Sequence, residues 1–351
     1  MIRRVTHFAA VFFCTVLVSG HTRGAGDTFE LVSLDNHAIG SRATAINEQD
    51  WIVGEIENGD EAVQAFLWKP DIGITMLGTL GGQASRGYSI NRHGVVVGES
   101  ADEHGITRAF IWSEQDGMVP LPAPDGILFS AAYAINDHGF IVGSVEARDG
   151  MQAVLWRDGT IIILPRLPGS GNIQALDINT RGDVIGHIKT GSEELFGSHA
   201  FYFYDAVKAR NLTTFTLLSH LSGSAAVALN DRGDAGGYIM RDAARVQAFL
   251  YSRRKGTRML DDGEAIYSTV YGINNLMHAV GSRIASYDSD ESACLWKDGE
   301  MIDLNELPGI PSDWWLVQAT GINDKGSMIG NGLNHDINRA FLLRKTDHST
   351  D

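Results

Sequence analysis

An Asn preceded by Ile or Leu recurs seven times along this chain, at Asn47, Asn91, Asn136, Asn179, Asn230, Asn274 and Asn323, at intervals of 44, 45, 43, 51, 44 and 49 residues. Each is followed within seven residues by a glycine: Gly54, Gly98, Gly143, Gly186, Gly237, Gly281 and Gly330. Further on, each unit carries an apolar block headed by Ala: AFLW (65–68), AFIW (109–112), AVLW (153–156), AFYF (200–203), AFLY (248–251), ACLW (293–296) and AFLL (340–343). Three markers sharing one period define an array of like units, which bury their apolar faces by packing on neighbours.

The second unit shows how each one folds. A first strand runs to the Ile-Asn pair (87–91), and Arg92, His93 and Gly94 make a tight turn. A second strand (95–98), a third (108–112) and a fourth (117–121) follow. Gly stands three places after the Asn in five of the seven units, with Met277 as one exception. Asn and Gly both tolerate positive φ, as such a turn requires. The chain has 40 Gly among 351 residues, against a usual share of about 7%, but only 8 Pro, so frequent tight turns account for the glycine. Four short strands in a period of roughly 40–45 residues are the mark of a β-propeller blade, and seven units predict seven blades in an all-β fold.

The chain ends support closure. The last unit stops after its third strand (341–344), and a polar tail (345–351) follows. Ahead of the first unit lies a lone strand, FELVSL (29–34), with the pattern of a fourth strand. It is expected to complete the seventh blade and so hide two sheet edges. A linear β-solenoid, the alternative architecture, has no use for two complementary fragments.

The pattern A-x-x-I-N-x-x-G-x-x-V-G, then A-F-x-W, then L-G-x-L-G-G resembles the HAF-repeat proteins, a group of predicted extracellular bacterial repeat proteins. The likeness covers roughly residues 41–343, and the first unit carries the fullest tail, Leu77 to Gly82. The letters HAF themselves occur only at His199, Ala200 and Phe201. The resemblance implies an extracellular protein and supplies no catalytic residues.

Residues 1–20 read as a signal peptide, with Arg3 and Arg4 before an apolar run (8–18) too short to span a membrane comfortably, which takes about 20 residues. Cleavage is expected after Gly20, with a cut near Ala25 as the alternative. Its removal takes Cys14 away and leaves Cys294, at a repeat position filled elsewhere by Phe or Val, as a buried and inert thiol. The full chain carries a net charge of −15, so a nucleic acid or an anionic membrane is an unfavourable partner.

In a propeller the first strands line the axis. Two and four places before each Asn the residues are small, which lets the inner strands approach; Asp177 breaks the rule. It reads either as an acid/base group or metal ligand, or as a carboxylate capping backbone N–H groups. Three and five places before each Asn come larger side chains, so Arg42, Arg86, Tyr88, Tyr133 and Tyr271 are expected to ring the channel mouth. Arg and Tyr together suit an acidic sugar, whereas tyrosines packed between blades are the structural alternative.

Trp314 and Trp315 fall in the loop entering the seventh unit, as a sugar-stacking platform or as a plug of the barrel end. His187 and His199, with Asp177, would make a metal or acid/base cluster, although no HxH or HExxH spacing is present. The acidic stretch DSDE (288–291) offers oxygen ligands for calcium, but it lacks the pattern of a known calcium loop and reads as solvated. No cofactor is expected.

The expectation is therefore a secreted, monomeric β-propeller (21–344) acting as a binding module for a polysaccharide or a surface protein, with Arg42, Arg86, Tyr88, Tyr271, Trp314 and Trp315 at its ligand site. The alternative is an extracellular glycan lyase or hydrolase using Arg42, Arg86, Tyr88, Tyr133, Asp177 and His199. Propellers host both, so fold does not choose between them.

Overall fold

The computed structural model describes residues 27–346 apart from 36–38, 60–61, 149, 166–169, 191–197, 207–214, 218–222, 243 and 262–264. The expected signal peptide and residues 347–351 of the expected tail lie outside the described residues. Among the described residues all regular structure is strand, save one 3₁₀ turn at Leu304–Glu306. None of their helices is long and apolar enough to cross a membrane.

Each unit is an antiparallel meander in sequence order. In the second unit the strands are Gly81–Ile90, Val96–Asp102, Thr107–Ser113 and Gly117–Pro120. Five sheets have four strands; a sixth has eight, because one parallel pair, Val246 with Tyr267, joins two meanders. In the last sheet the outermost strand is Thr28–Ser33, which pairs antiparallel with Ile337–Thr346 at the other end of the chain. That strand runs two residues into the expected tail, since Thr28 and Phe29 pair with Thr346 and Lys345.

The core lies between successive sheets. Val53 and Leu67 of the first unit pack with Ile90, Val96, Phe110 and Trp112 of the second. Trp68, Trp112, Trp156 and Trp296 of the third strands are all buried, as is Cys294, whose thiol burial pushes up. Burying one such large side chain contributes roughly 2–3 kcal/mol.

The recurring Asn explains how neighbouring units are held. In every unit its Nδ2 donates to the main-chain oxygen of the next unit's Asn, from Asn47 to Asn91 at 3.1 Å and so on to Asn323, which donates to Asn47 at 3.1 Å. Its Oδ1 accepts main-chain N–H groups of the turn that follows, as Asn136 does from His138 and Phe140, both at 3.0 Å. An amide side chain carries an acceptor oxygen with two lone pairs and, on a separate atom, an NH2 donor, so it can bond both ways at once, and Asn has the shorter reach.

This corrects the expectation from turn chemistry, because none of the seven Asn has positive φ. The left-handed residue is the third after it in every unit: Gly94, Gly139, Gly182, Gly233 and Gly326, with Asp50 at φ 59° and Met277 at φ 66° in the other two. Asp50 is tied by Asn323 Nδ2 at 2.7 Å.

A second contact joins five of the unit boundaries. A Ser six places before the Asn accepts from the N–H of the Ala heading the preceding unit's third strand, at 2.9–3.0 Å. The pairs are Ser85 with Ala65, Ser130 with Ala109, Ser224 with Ala200, Ser268 with Ala248 and Ser41 with Ala340.

Candidate functional site

Every first strand is bulged at the same place, between four and two residues before its Asn, as between Ala43 and Ala45 or Gly87 and Ser89. A bulge leaves its extra residue unpaired and bends the strand. The glycine of the second strand makes this possible. A Cβ on Gly98 would stand 1.9 Å from the oxygen of Arg86, and the other six glycines meet the corresponding carbonyl at 1.8–2.0 Å.

The bulge residues, Thr44, Tyr88, Tyr133, Leu176, Val227, Tyr271 and Thr320, line a central cavity of about 190 Å³ together with the small residues beside them. Strict alternation would have put one set on the axis; the bulge puts both there. Below it, towards the Asn cycle, a second cavity of about 250 Å³ is bordered by the residues after each Asn, among them Glu48, Asp137, Asp231 and Asp324.

The other end of the central cavity is built by cross-strand pairs that repeat around the chain. The residue five before each Asn faces the residue just after the second-strand glycine. These pairs are Arg42 with Glu55, Arg86 with Glu99, Ala131 with Ser144, Gln174 with His187, Ala225 with Tyr238, Thr269 with Ser282 and Gln318 with Asn331.

Arg86 holds two carboxylates of different units, Glu55 at 2.9 Å and Glu99 at 3.1 Å. Burial opposes its charge, but the two glutamates more than offset this and hold the guanidinium above its usual pKa. Arg42 is exposed, and no ion pair to it is found among the described residues.

Tyr88 and Tyr133 lie with ring centroids 5.7 Å apart. The Tyr133 hydroxyl meets Ser144 Oγ at 3.4 Å and Gln174 Nε2 at 3.3 Å, and the hydroxyls of Tyr267 and Tyr271 are 3.2 Å apart. Burial pushes the phenols of Tyr88, Tyr133, Tyr238, Tyr267 and Tyr271 upward, so they stay neutral donors. Burial, with Lys189 adding to it, lowers the His187 pKa and keeps that ring neutral as well. His187 Nδ1 and Thr269 Oγ1 are buried without a hydrogen-bond partner among the described residues.

Asp177 lies deeper, on the wall of the central cavity. Its Oδ2 accepts from Leu229 N at 2.7 Å, across to the next unit, and its Oδ1 from Ile178 N at 2.8 Å. Burial raises its carboxyl to about 7, against the lowering by these two N–H groups. Of the two readings open for this residue, the geometry fits the cap on backbone N–H groups.

His187 and His199 are not brought together. His187 pairs with Ala200, and His199 with Ile188, so the two rings point to opposite faces of their sheet. His199 is also absent from the lining of both channel cavities, one of which Asp177 borders.

Trp314 and Trp315 begin the strand Trp314–Ile322 instead of lying in the preceding loop, because Trp314 and Trp315 pair with Asn334 and Leu333. Trp314 turns into the core, edge-on to Phe341 with centroids 6.4 Å apart. Trp315 is 38% exposed, and its Nε1 donates to Glu291 O at 2.9 Å. The Glu291 carboxylate accepts from Gln318 Nε2 at 2.9 Å. Asp288 and Asp290 are exposed, and among the described residues no group of three or more His, Cys, Asp or Glu is placed to hold a metal ion.

Of the seven partners after the glycine, sequence reasoning singled out only His187 and missed Glu55, Glu99, Ser144, Tyr238, Ser282 and Asn331. Their signal was available, because all seven are polar or carry a polar tip inside a strand that is otherwise mostly apolar.

No family model matches the chain, and no curated protein matches it. Among solved structures it is similar to the β-propeller domain of the trilobed protease from Pyrococcus furiosus, described as having an open velcro topology. That match has a TM-score of 0.56 at 10% identity and covers 90% of this chain and 98% of that one. It is similar as well to an oligogalacturonate lyase in complex with manganese, with a TM-score of 0.57 at 10% identity, covering 92% of this chain and 97% of that one. A Mycobacterium tuberculosis puromycin-hydrolyzing peptidase gives a TM-score of 0.58 at 14% identity over 92% of this chain, which spans only 55% of the peptidase. Such identities speak to fold alone, and the conclusion they carry with the sheet topology is that this chain has the β-propeller fold.

Proposed function

We propose that this chain is a secreted HAF-repeat β-propeller of seven blades, closed by its N-terminal strand, that works as an extracellular or cell-surface binding module at its channel mouth. Seven cross-strand pairs, and seven Asn bonds that return to their starting residue, support the blade count and the closure. The leader-like residues 1–20 support export.

The observation that carries the binding reading is the build of the mouth. Arg86 is fixed between Glu55 and Glu99 beside the Tyr88–Tyr133 pair, so donors, acceptors and ring faces are presented on rigid strands. A polysaccharide is the ligand class that such a mixture of tyrosines and paired charges suits. A surface protein is the other partner that the exposed end would admit.

The glycan-active enzyme is the second reading. It needs an acid, a base and a charge stabiliser within one pocket. Asp177 has both oxygens on backbone N–H groups, and His199 lines neither cavity of the channel, which favours binding over catalysis.

The test is incubation of the purified mature protein with acidic and neutral polysaccharides, with and without calcium. Depletion onto one polysaccharide without soluble products, weakened in Tyr88→Ala, is expected. Unsaturated or reducing ends that vanish in Arg86→Ala and Tyr88→Ala would replace the binding module by the enzyme.

A further inference from the structure

A separate cavity of about 180 Å³ lies beside Trp315, off the channel, between the sixth and seventh units. One wall is the Trp315 indole and another is Met301, both 38% exposed. Arg283, Asp290, Ser292 and Asp303 supply its polar lining. We infer that this cavity is a subsite for one pyranose ring of a neutral saccharide, an inference that rests on the reading of the chain as a carbohydrate-binding module.

Three features argue for it. The indole is held in place, because its Nε1 is committed to Glu291 O at 2.9 Å, which leaves the ring faces as the surface it can offer. A pyranose has an apolar C–H face that packs on such a ring and hydroxyls around its rim. The loop carrying Asp290 is braced by a turn, in which Ser286 N donates to Ser289 Oγ at 2.8 Å and Ser289 N to Ser286 O at 3.2 Å.

The second feature is a donor group. Arg283 lines the cavity with its side chain 22% exposed, and its nearest carboxylate oxygen, Asp261 Oδ1, stands 3.8 Å from Nε. Nε is closed off from the cavity, so the terminal N–H groups of the guanidinium are the donors that a sugar hydroxyl would meet.

The third is charge. Asp261 answers the charge of Arg283, and Asp290 and Asp303 leave the cavity with excess negative charge, which repels a uronate and accepts hydrogen bonds from neutral hydroxyls. Its volume is below the roughly 300–1,000 Å³ of drug-sized sites and in keeping with a single ring.

The experiment is titration calorimetry of the full mature protein with cello-, manno- and xylo-oligosaccharides as neutral probes and an oligogalacturonate as the acidic one. Binding of at least one neutral probe is expected, with at least a tenfold loss in Trp315→Ala. A loss of several-fold is expected in Asp290→Ala, which alters an exposed loop residue and leaves the strand pairing intact. Failure of every neutral probe to bind, preference for the acidic probe, or unchanged affinity in Asp290→Ala would overturn the inference. The channel mouth is read separately through Tyr88→Ala. Polysaccharide depletion that depends on Tyr88 while Trp315→Ala binds as the wild type does would remove this subsite and leave the channel reading standing.

Discussion

The side-chain amide of Asn323 donates to the main-chain oxygen of Asn47 at 3.1 Å, joining two residues 276 positions apart. It repeats the bond that each of the other six Asn makes to its immediate successor. The first and last units thus meet through the same contact as units adjacent in sequence, although no short chain segment links them.

Asn136→Ala tests that contact where chain connectivity is not in question. Asn136 is 4% exposed, and its removal strips the N–H groups of His138 and Phe140 of their acceptor, while the oxygen of Asn179 loses one donor and keeps Gly182 N at 3.0 Å. Each stranded group costs about 1–3 kcal/mol, so a loss of at least about 2 kcal/mol is expected in urea unfolding. A loss below about 1 kcal/mol would make the Asn a turn residue only.

Two glycines of the same unit should differ sharply. Gly139 has φ 79° and open space around it, so Gly139→Ala is expected to cost only the left-handed penalty of about 1–2 kcal/mol. In Gly143→Ala the new Cβ would stand 2.0 Å from Ala131 O, and the first two strands would have to part. Its unfolding midpoint should fall much further, and equal effects would discount the close approach.

Much of this fold was legible because spacing alone marks a repeat. The positions of Asn47 to Asn323 define the units, and the fragment 29–34 finds its place by counting strands. The physical reason for the Asn was not legible, since a bond to the next unit's carbonyl leaves no trace in the residue that accepts it. Alternation also misled: a bulge adds one residue to a strand, so the axis-facing set changes partway along, and Tyr88 and Ser89 both border the cavity. For His199 the sequence distance to His187 says nothing of face, which depends on the hairpin register across an insertion.

Asp177 should give stability a pH dependence of unusual sign for a carboxylate. Its folded pKa is raised to about 7 from 3.8, so the folded state binds the proton more tightly than the unfolded one. Its contribution to stability is therefore full below about pH 4, falls as pH rises towards 7, and is flat above that. The change is about 4 kcal/mol at most. Asp177→Asn keeps an oxygen for Leu229 N and removes the titration, so urea midpoints at pH 5 and pH 8 should lie closer together than in the wild type. An unchanged gap would place the slope elsewhere.

The junction of the chain ends has its own buried pair. Arg339 Nη1 meets Asp35 Oδ1 at 2.8 Å with side chains 11% and 5% exposed, and Asp35 accepts from Ser41 as well. Asp35→Ala leaves the guanidinium buried without that carboxylate, and a loss of about 3–5 kcal/mol is expected. Proteolysis should then begin at the N-terminal strand, read as the first fragment released in a time course. First cleavage in another unit would show that the junction is not the weak point.

In all seven Asn bonds the acceptor is a main-chain oxygen, a group that every residue type possesses. Each unit thus recognises its neighbour through the backbone, and only at the last contact does the same Nδ2 also meet a side chain of that neighbour, Asp50 Oδ1 at 2.7 Å. Units joined in this way are interchangeable parts. The chain could be cut at any exposed turn between fourth and first strands and its present termini linked, and the seven contacts would be made in the same order.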